Sequence, residues 1–177
     1  MEAGENKRPE TFRLMRKLIE YWALVGGAVL LGVVTTTAWS LIRDILWRTP
    51  VQGENEIVQV GLAVAVFAFL PLCQITGANI TADIFTSKSG PRTIAVLTMA
   101  SSIIALLFAL LLVWRSWDGM LDYRELNETT AIMNFPIWTA FIPIMISLVL
   151  LVVASAISLY DAIDDYKTRR MPEPILH

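Results

Sequence analysis

"YWALVGGAVLLGVVTTTAWSLI" (residues 21–42) runs for 22 residues with Tyr21 as its only ionisable side chain. At about 1.5 Å of rise per residue, a helix of that length crosses the roughly 30 Å hydrocarbon core of a bilayer. The stretch is not isolated. Residues 57–76, 94–114 and 137–160 are likewise free of Asp, Glu, Lys, Arg and His. The chain is 55% hydrophobic and 17% charged over 177 residues, and its charges are gathered in the gaps between the four blocks. Four such blocks in one small soluble chain would leave too little polar surface for water. The pattern therefore predicts an all-α membrane protein with four transmembrane helices, at about 21–42, 57–76, 94–114 and 137–160.

A basic N-terminus before an apolar run is also how a secretory signal begins. The first block is longer than a signal core of about 7–15 residues, and no small-residue cleavage site follows it, so it reads as retained. Residues 1–8 read as a disordered tail, 9–166 as a single transmembrane domain and 167–177 as a cytoplasmic tail. Cys73 is the only cysteine and lies within the second block, so no intrachain disulfide is available; His177 is the last residue.

Basic residues set the orientation. Lys7, Arg8, Arg13, Arg16, Lys17, Lys88, Arg92, Lys167, Arg169 and Arg170 fall on one side, against Arg43, Arg48, Arg115 and Arg124 on the other. Positive charge favours the cytoplasm, so both termini are expected there. The opposite gaps also carry Asp44, Glu54, Glu56, Asp118, Asp122, Glu125 and Glu128, which makes that face net acidic. Trp22, Trp39, Trp47, Trp114, Trp117, Tyr123 and Trp138 cluster at block ends, where amphipathic rings settle at headgroup depth. Arg13, Arg16, Lys17, Trp22, Trp47 and Trp114 are the expected lipid and interface anchors. Phe12, Met15, Leu18, Ile19 and Trp22 recur at helical spacing among basic residues. That segment reads either as an amphipathic helix in the headgroup plane or as an extension of the first span.

No Asp, Glu, Lys, Arg or His lies within the blocks, where pumps and secondary transporters usually hold such groups. The intramembrane polar residues are neutral: Thr35, Thr36, Thr37 and Ser40, Gln59 and Gln74, Thr98, Ser101 and Ser102, then Ser147, Ser155 and Ser158. Small hydroxyls bond back to helix carbonyls or across a helix–helix seam, and a seam is expected for them ahead of a solute pathway. Pro71 in "AFLPL" (68–72) and Pro143 in "AFIPI" (140–144) sit at different depths, so they read as helix kinks, not as the paired interruptions of a repeat. Asn79-Ile80-Thr81 and Asn127-Glu128-Thr129 match the glycosylation pattern but fall on opposite faces, so both read as coincidence. There is no phosphate loop, metal-ligand spacing or nucleophile–base pair, so neither an enzyme nor a cofactor site is expected.

Several segments together resemble a known family. An acidic opening to the second block (Glu54-Asn55-Glu56-Ile57) is followed by a long apolar run. The run ends in Gly77-Ala78-Asn79-Ile80-Thr81-Ala82-Asp83, then "GPRT" (90–93), and "ETTAIMNFPIW" (128–138) leads into the fourth block. Over roughly residues 13–160 the chain resembles the small, DctQ-like membrane subunits of tripartite ATP-independent periplasmic (TRAP) transporters. It departs from the common pattern at Asn79, where many members carry His, and at Asn55, which splits an acidic pair. The resemblance implies a non-catalytic scaffold in the inner membrane. Its partners would be a large membrane subunit, a periplasmic substrate-binding protein and membrane lipids, with no nucleic acid. The transport implied is symport of organic acids, driven by an ion gradient, commonly sodium. It also implies contacts with the large subunit through Glu56, Gly77 and Asp83. Docking of the binding protein would involve Glu54, Arg115, Asp118, Asp122 and Arg124. Two other classes remain open on sequence: a free-standing four-helix assembly or signalling protein, and a small oligomeric channel.

Overall fold

The computed structural model describes residues 10–49, 51–77 and 91–168. Four helices account for most of them: α1 Glu10–Trp47, α2 Glu54–Gly77, α3 Pro91–Glu125 and α4 Trp138–Thr168. All four are long and apolar enough to cross a membrane. In a hydrocarbon solvent a helix satisfies its own backbone groups, which is why the apolar blocks take this form. The helices overrun the blocks at several ends. Residues 10–22 are the first turns of α1, so the basic N-terminal segment is an extension of the first span; α1 reaches about 57 Å. α3 continues past its apolar block through Trp117 to Glu125. Pro91 occupies the first position of α3, where its missing N–H costs nothing, while Pro71 and Pro143 lie inside α2 and α4, which run through them.

The helix ends are closed by left-handed residues. Arg48 (φ 52°) terminates α1 with its N–H on the Asp44 carbonyl. Asn127 (φ 49°) terminates α3: its N–H meets the Arg124 carbonyl at 3.3 Å and that of Glu128 meets Tyr123 at 3.2 Å, the paired bonds of a Schellman cap. Asn127 thus has a structural reason to be Asn. Gly53 (φ 77°) precedes α2, and its carbonyl accepts the N–H groups of Glu56 and Ile57.

The helices pack as an open row and not as a closed bundle. α1 lies on α2, α2 on α4 and α4 on α3, with only marginal contact between α1 and α4. α4 is the most enclosed, with 39% of its apolar window buried against 11–22% in the others. One cluster joins Ala109 of α3 to Ile144, Leu148 and Leu151 of α4, with Ala63, Val64, Phe67 and Leu70 of α2 against it. A second packs Ile19 of α1 on Leu150 and Ala154 of α4, beside Leu72 and Ile75 of α2. Small residues let α1 and α2 approach closely. A Cβ on Gly26 would stand 2.6 Å from the Ala68 Cβ, and one on Gly61 would collide with Val33.

Of the two roles open to the neutral hydroxyls, most take the local one and bond back within their own helices. Thr35, Thr36, Thr37, Thr76 and Ser158 each donate to the carbonyl four residues back, and Ser101 to that of Thr98. A short hydroxyl reaches its own preceding turn more easily than a neighbouring helix. Two reach across: Ser40 of α1 donates to Glu54 of α2, and Ser147 donates to the Pro143 carbonyl and accepts the Trp22 indole N–H at 2.8 Å, linking α1 to α4. Ser102 and Ser155 are buried with no hydrogen-bond partner among the described residues.

Two stability predictions follow from this packing. Gly26→Leu overpacks the α1–α2 contact and should destabilise the fold by about 1–3 kcal/mol in detergent unfolding, whereas Gly32→Leu, which meets open space, should not; equal losses at both positions would contradict the close approach. Trp22→Phe and Ser147→Ala should each cost about 0.6 kcal/mol, and the double variant little more than either alone.

Candidate functional site

Both helical hairpins turn at the same end of the row, and there the acidic opening of α2 fastens three segments together. Glu54 accepts the hydroxyl hydrogen of the buried Ser40 near the end of α1, and Ser40 Oγ in turn accepts the Val51 amide at 3.1 Å. The hydroxyl thus ties the last turns of α1 to the linker and to the first residue of α2.

Two residues further along the turn, Glu56 reaches the α3–α4 connection. Its Oε1 accepts the Ile132 amide at 2.7 Å and its Oε2 the Met133 amide at 2.9 Å. Two successive amides make a small anion-binding concavity, and a carboxylate in its acceptor-only, ionised form fills it with charge-assisted bonds. The same carboxylate lies in the first turn of α2, where the helix dipole favours negative charge.

The connection itself, residues 126–137, is a closed turn. Thr129 and Pro136 form an isolated bridge, the Thr130 amide donates to the Phe135 carbonyl, and the Phe135 amide donates to Thr130 Oγ1. Asn134 (φ 52°) supplies the reversal. Met133 then lies over Gly53, where an added Cβ would stand 2.6 Å from its Cγ. Glycine at this position therefore serves both the positive φ and the close approach. The loop tip keeps Ile132, Met133 and Phe135 substantially exposed.

The remaining candidates distribute around this corner. Arg115 and Asp118 form an exposed pair at 2.9 Å on the projecting turns of α3. Asp122 is exposed one turn on, and the Arg124 guanidinium lies 6.0 Å from the Trp138 ring, beside the Tyr123–Phe141 contact. Trp47 and Trp114 are open on the helix surfaces, while the half-buried Trp22 turns its indole N–H inward to Ser147. Arg16 pairs with Glu20 at 3.5 Å, Lys17 is exposed, and Arg13 belongs to the opening turn of α1. Gly77 is the last residue of α2, far from the clasp, and Asp83 lies outside the described residues. Sequence reading did not single out Ser40 as a partner of Glu54, nor the amides of residues 132 and 133. The one available signal was the two glutamates on the first turn of a helix that needs only one of them for its dipole.

No curated protein and no solved structure matches the chain. A family model does: that of the tripartite ATP-independent periplasmic transporters, DctQ component, over residues 32–165, three quarters of the sequence. The match takes in the later part of α1, the acidic opening of α2, the α3–α4 loop and most of the other three helices. The chain therefore belongs to the DctQ family and is a small, non-catalytic subunit of a TRAP transporter of the inner membrane.

Proposed function

We propose that this subunit braces the large membrane subunit of its transporter and offers a periplasmic platform for the substrate-binding protein, in an importer of organic acids driven by an ion gradient, sodium in our reading. The observation that carries the bracing role is the open row. Four apolar helices are buried only to 11–39% in the isolated chain, so broad apolar faces are left for lipid and for another membrane protein. A closed bundle would have spent those faces on itself. With no Asp, Glu, Lys, Arg or His in the apolar blocks, the chain brings neutral seams and rigid spans, and the groups that grip ion and solute belong to its partner.

In this reading the hairpin end faces the periplasm, as the distribution of Lys and Arg suggests. The clasped loop and the projecting turns of α3 then form the platform, with Asp118, Asp122, Arg115 and Arg124 arranged along its edge. Glu54 and Glu56 act from below by holding the platform to α1 and α2. Gly77 and Asp83, towards the cytoplasmic end of α2, are proposed contacts of the large subunit.

Reconstitution tests the proposal. The subunit alone in liposomes should give no gradient-driven uptake of organic acids, and adding the large subunit and binding protein should restore it; uptake by the lone chain would refute the scaffold reading. Within the full transporter, Asp118→Lys combined with Asp122→Lys should raise the apparent KM for binding-protein-delivered substrate. The effect should shrink at high salt, as it does for a steering surface. Glu56→Ala should speed amide exchange at Ile132 and Met133 by about tenfold and Glu56→Gln by less. Unchanged exchange in both would remove the clasp from the account.

A further inference from the structure

A groove of about 380 Å³ opens between α1 and α2 beneath the clasped loop. Val29 and Val33 form one wall, Ile57 and Val60 the other, and Met133 and Phe135 overhang one end. Gly32 lies along its floor, where an added Cβ would meet nothing within 4 Å, in contrast to Gly26 and Gly61, which are pressed against the facing helix. The neighbouring Thr35, Thr36 and Thr37 hydroxyls are turned back on their own helix, so that wall offers no free donor. The polar lining groups are Glu56 and Thr130, which lie at the loop end. An apolar slot with a carboxylate at its mouth is the shape of a site for an amphiphile whose head is cationic.

We propose that this groove holds one phospholipid with a primary-amine headgroup, the glycerol-proximal part of an acyl chain lying over Gly32 and the ammonium beside Glu56. The slot follows a little over one turn of each helix, enough for the first few methylenes of one chain. A passing transmembrane helix, about 10–12 Å across, would have to continue beyond the overhang of Met133 and Phe135, whereas a lipid ends at that level. Glu56 is held by the Ile132 and Met133 amides and supported by the Thr130 hydroxyl and the Ala131 amide, all uncharged donors, so its negative charge stays uncompensated and attracts an ammonium at the groove mouth. The proposal rests on the groove and its charge, and stands apart from the transporter reading.

The test uses the full chain purified in mild detergent and delipidated. Phosphatidylethanolamine and phosphatidylglycerol of identical acyl chains are titrated in and counted by native mass spectrometry. Wild type should bind one phosphatidylethanolamine at least about tenfold more tightly than phosphatidylglycerol. Gly32→Phe, which fills the slot from an exposed helix position, should lose that preference and that site while its thermal unfolding stays unchanged. Glu56→Gln should bring the two lipids to equal affinity. Equal binding of both lipids by wild type would overturn the proposal, as would unaltered binding by Gly32→Phe. So would a photoreactive residue at position 32 that cross-links a polypeptide in native membranes and no lipid.

Discussion

A carboxylate held by two successive backbone amides is the joint on which the hairpin end depends. The α3–α4 connection contains more polar backbone than its own short bridge can pair, and it sits where the bilayer gives way to water. Glu56 supplies acceptors to two of those amides from a helix that begins more than seventy residues earlier. Glu54 does the equivalent for the α1–α2 connection through Ser40. The two hairpins are thereby fixed to one another at one end by hydrogen bonds whose partners are specified by geometry. Small-residue packing and the Trp22–Ser147 bond hold them elsewhere.

This division of labour follows from the solvent. In water, hydrophobic burial would draw four apolar helices into the most compact arrangement available. In a bilayer, a leucine facing lipid loses little by not facing another leucine, so packing detail and polar contacts decide which helices touch. The close seams occur where glycine and alanine permit them, and the large side chains are left outside: Leu31, Ile45 and Trp114 are each at least 70% exposed. An open row is therefore a stable outcome for a membrane chain, and it preserves area for a second protein. The family to which the chain belongs is defined by such an association.

Much of this was legible from residue order alone. Uninterrupted apolar blocks between charged gaps specify spans because nothing else explains charge excluded over that length, and the order of several loose motifs pointed to the family. Helix limits were less legible. Residues 115–125 are polar enough to read as a connection, and residues 10–20 left open a helix in the headgroup plane or an extension of the first span, yet each continues a helix already nucleated next to it, and propagation needs only one further bond per residue. The lateral order of helices was not legible, since it depends on Gly26 meeting Ala68 and Gly61 meeting Val33, contacts that periodicity does not reveal. The site was half visible. Both glutamates stood out as a pair, but their acceptor role is completed by amides, which carry no sequence signature, and by Ser40, one of a dozen similar hydroxyls.

The unequal lengths of α1 and α2 have a further consequence. α1 runs for 38 residues and its packed neighbour for 24, or about 57 Å beside about 36 Å. Their charge-free blocks are nearly equal, at 22 and 20 residues, so the surplus is charged helix and adds no hydrocarbon-seeking length. Two adjoining rods with matched apolar belts can sit level in one slab of hydrocarbon, and the excess of α1 leaves it as a stiff arm that carries Arg16 and Lys17 out among the headgroups.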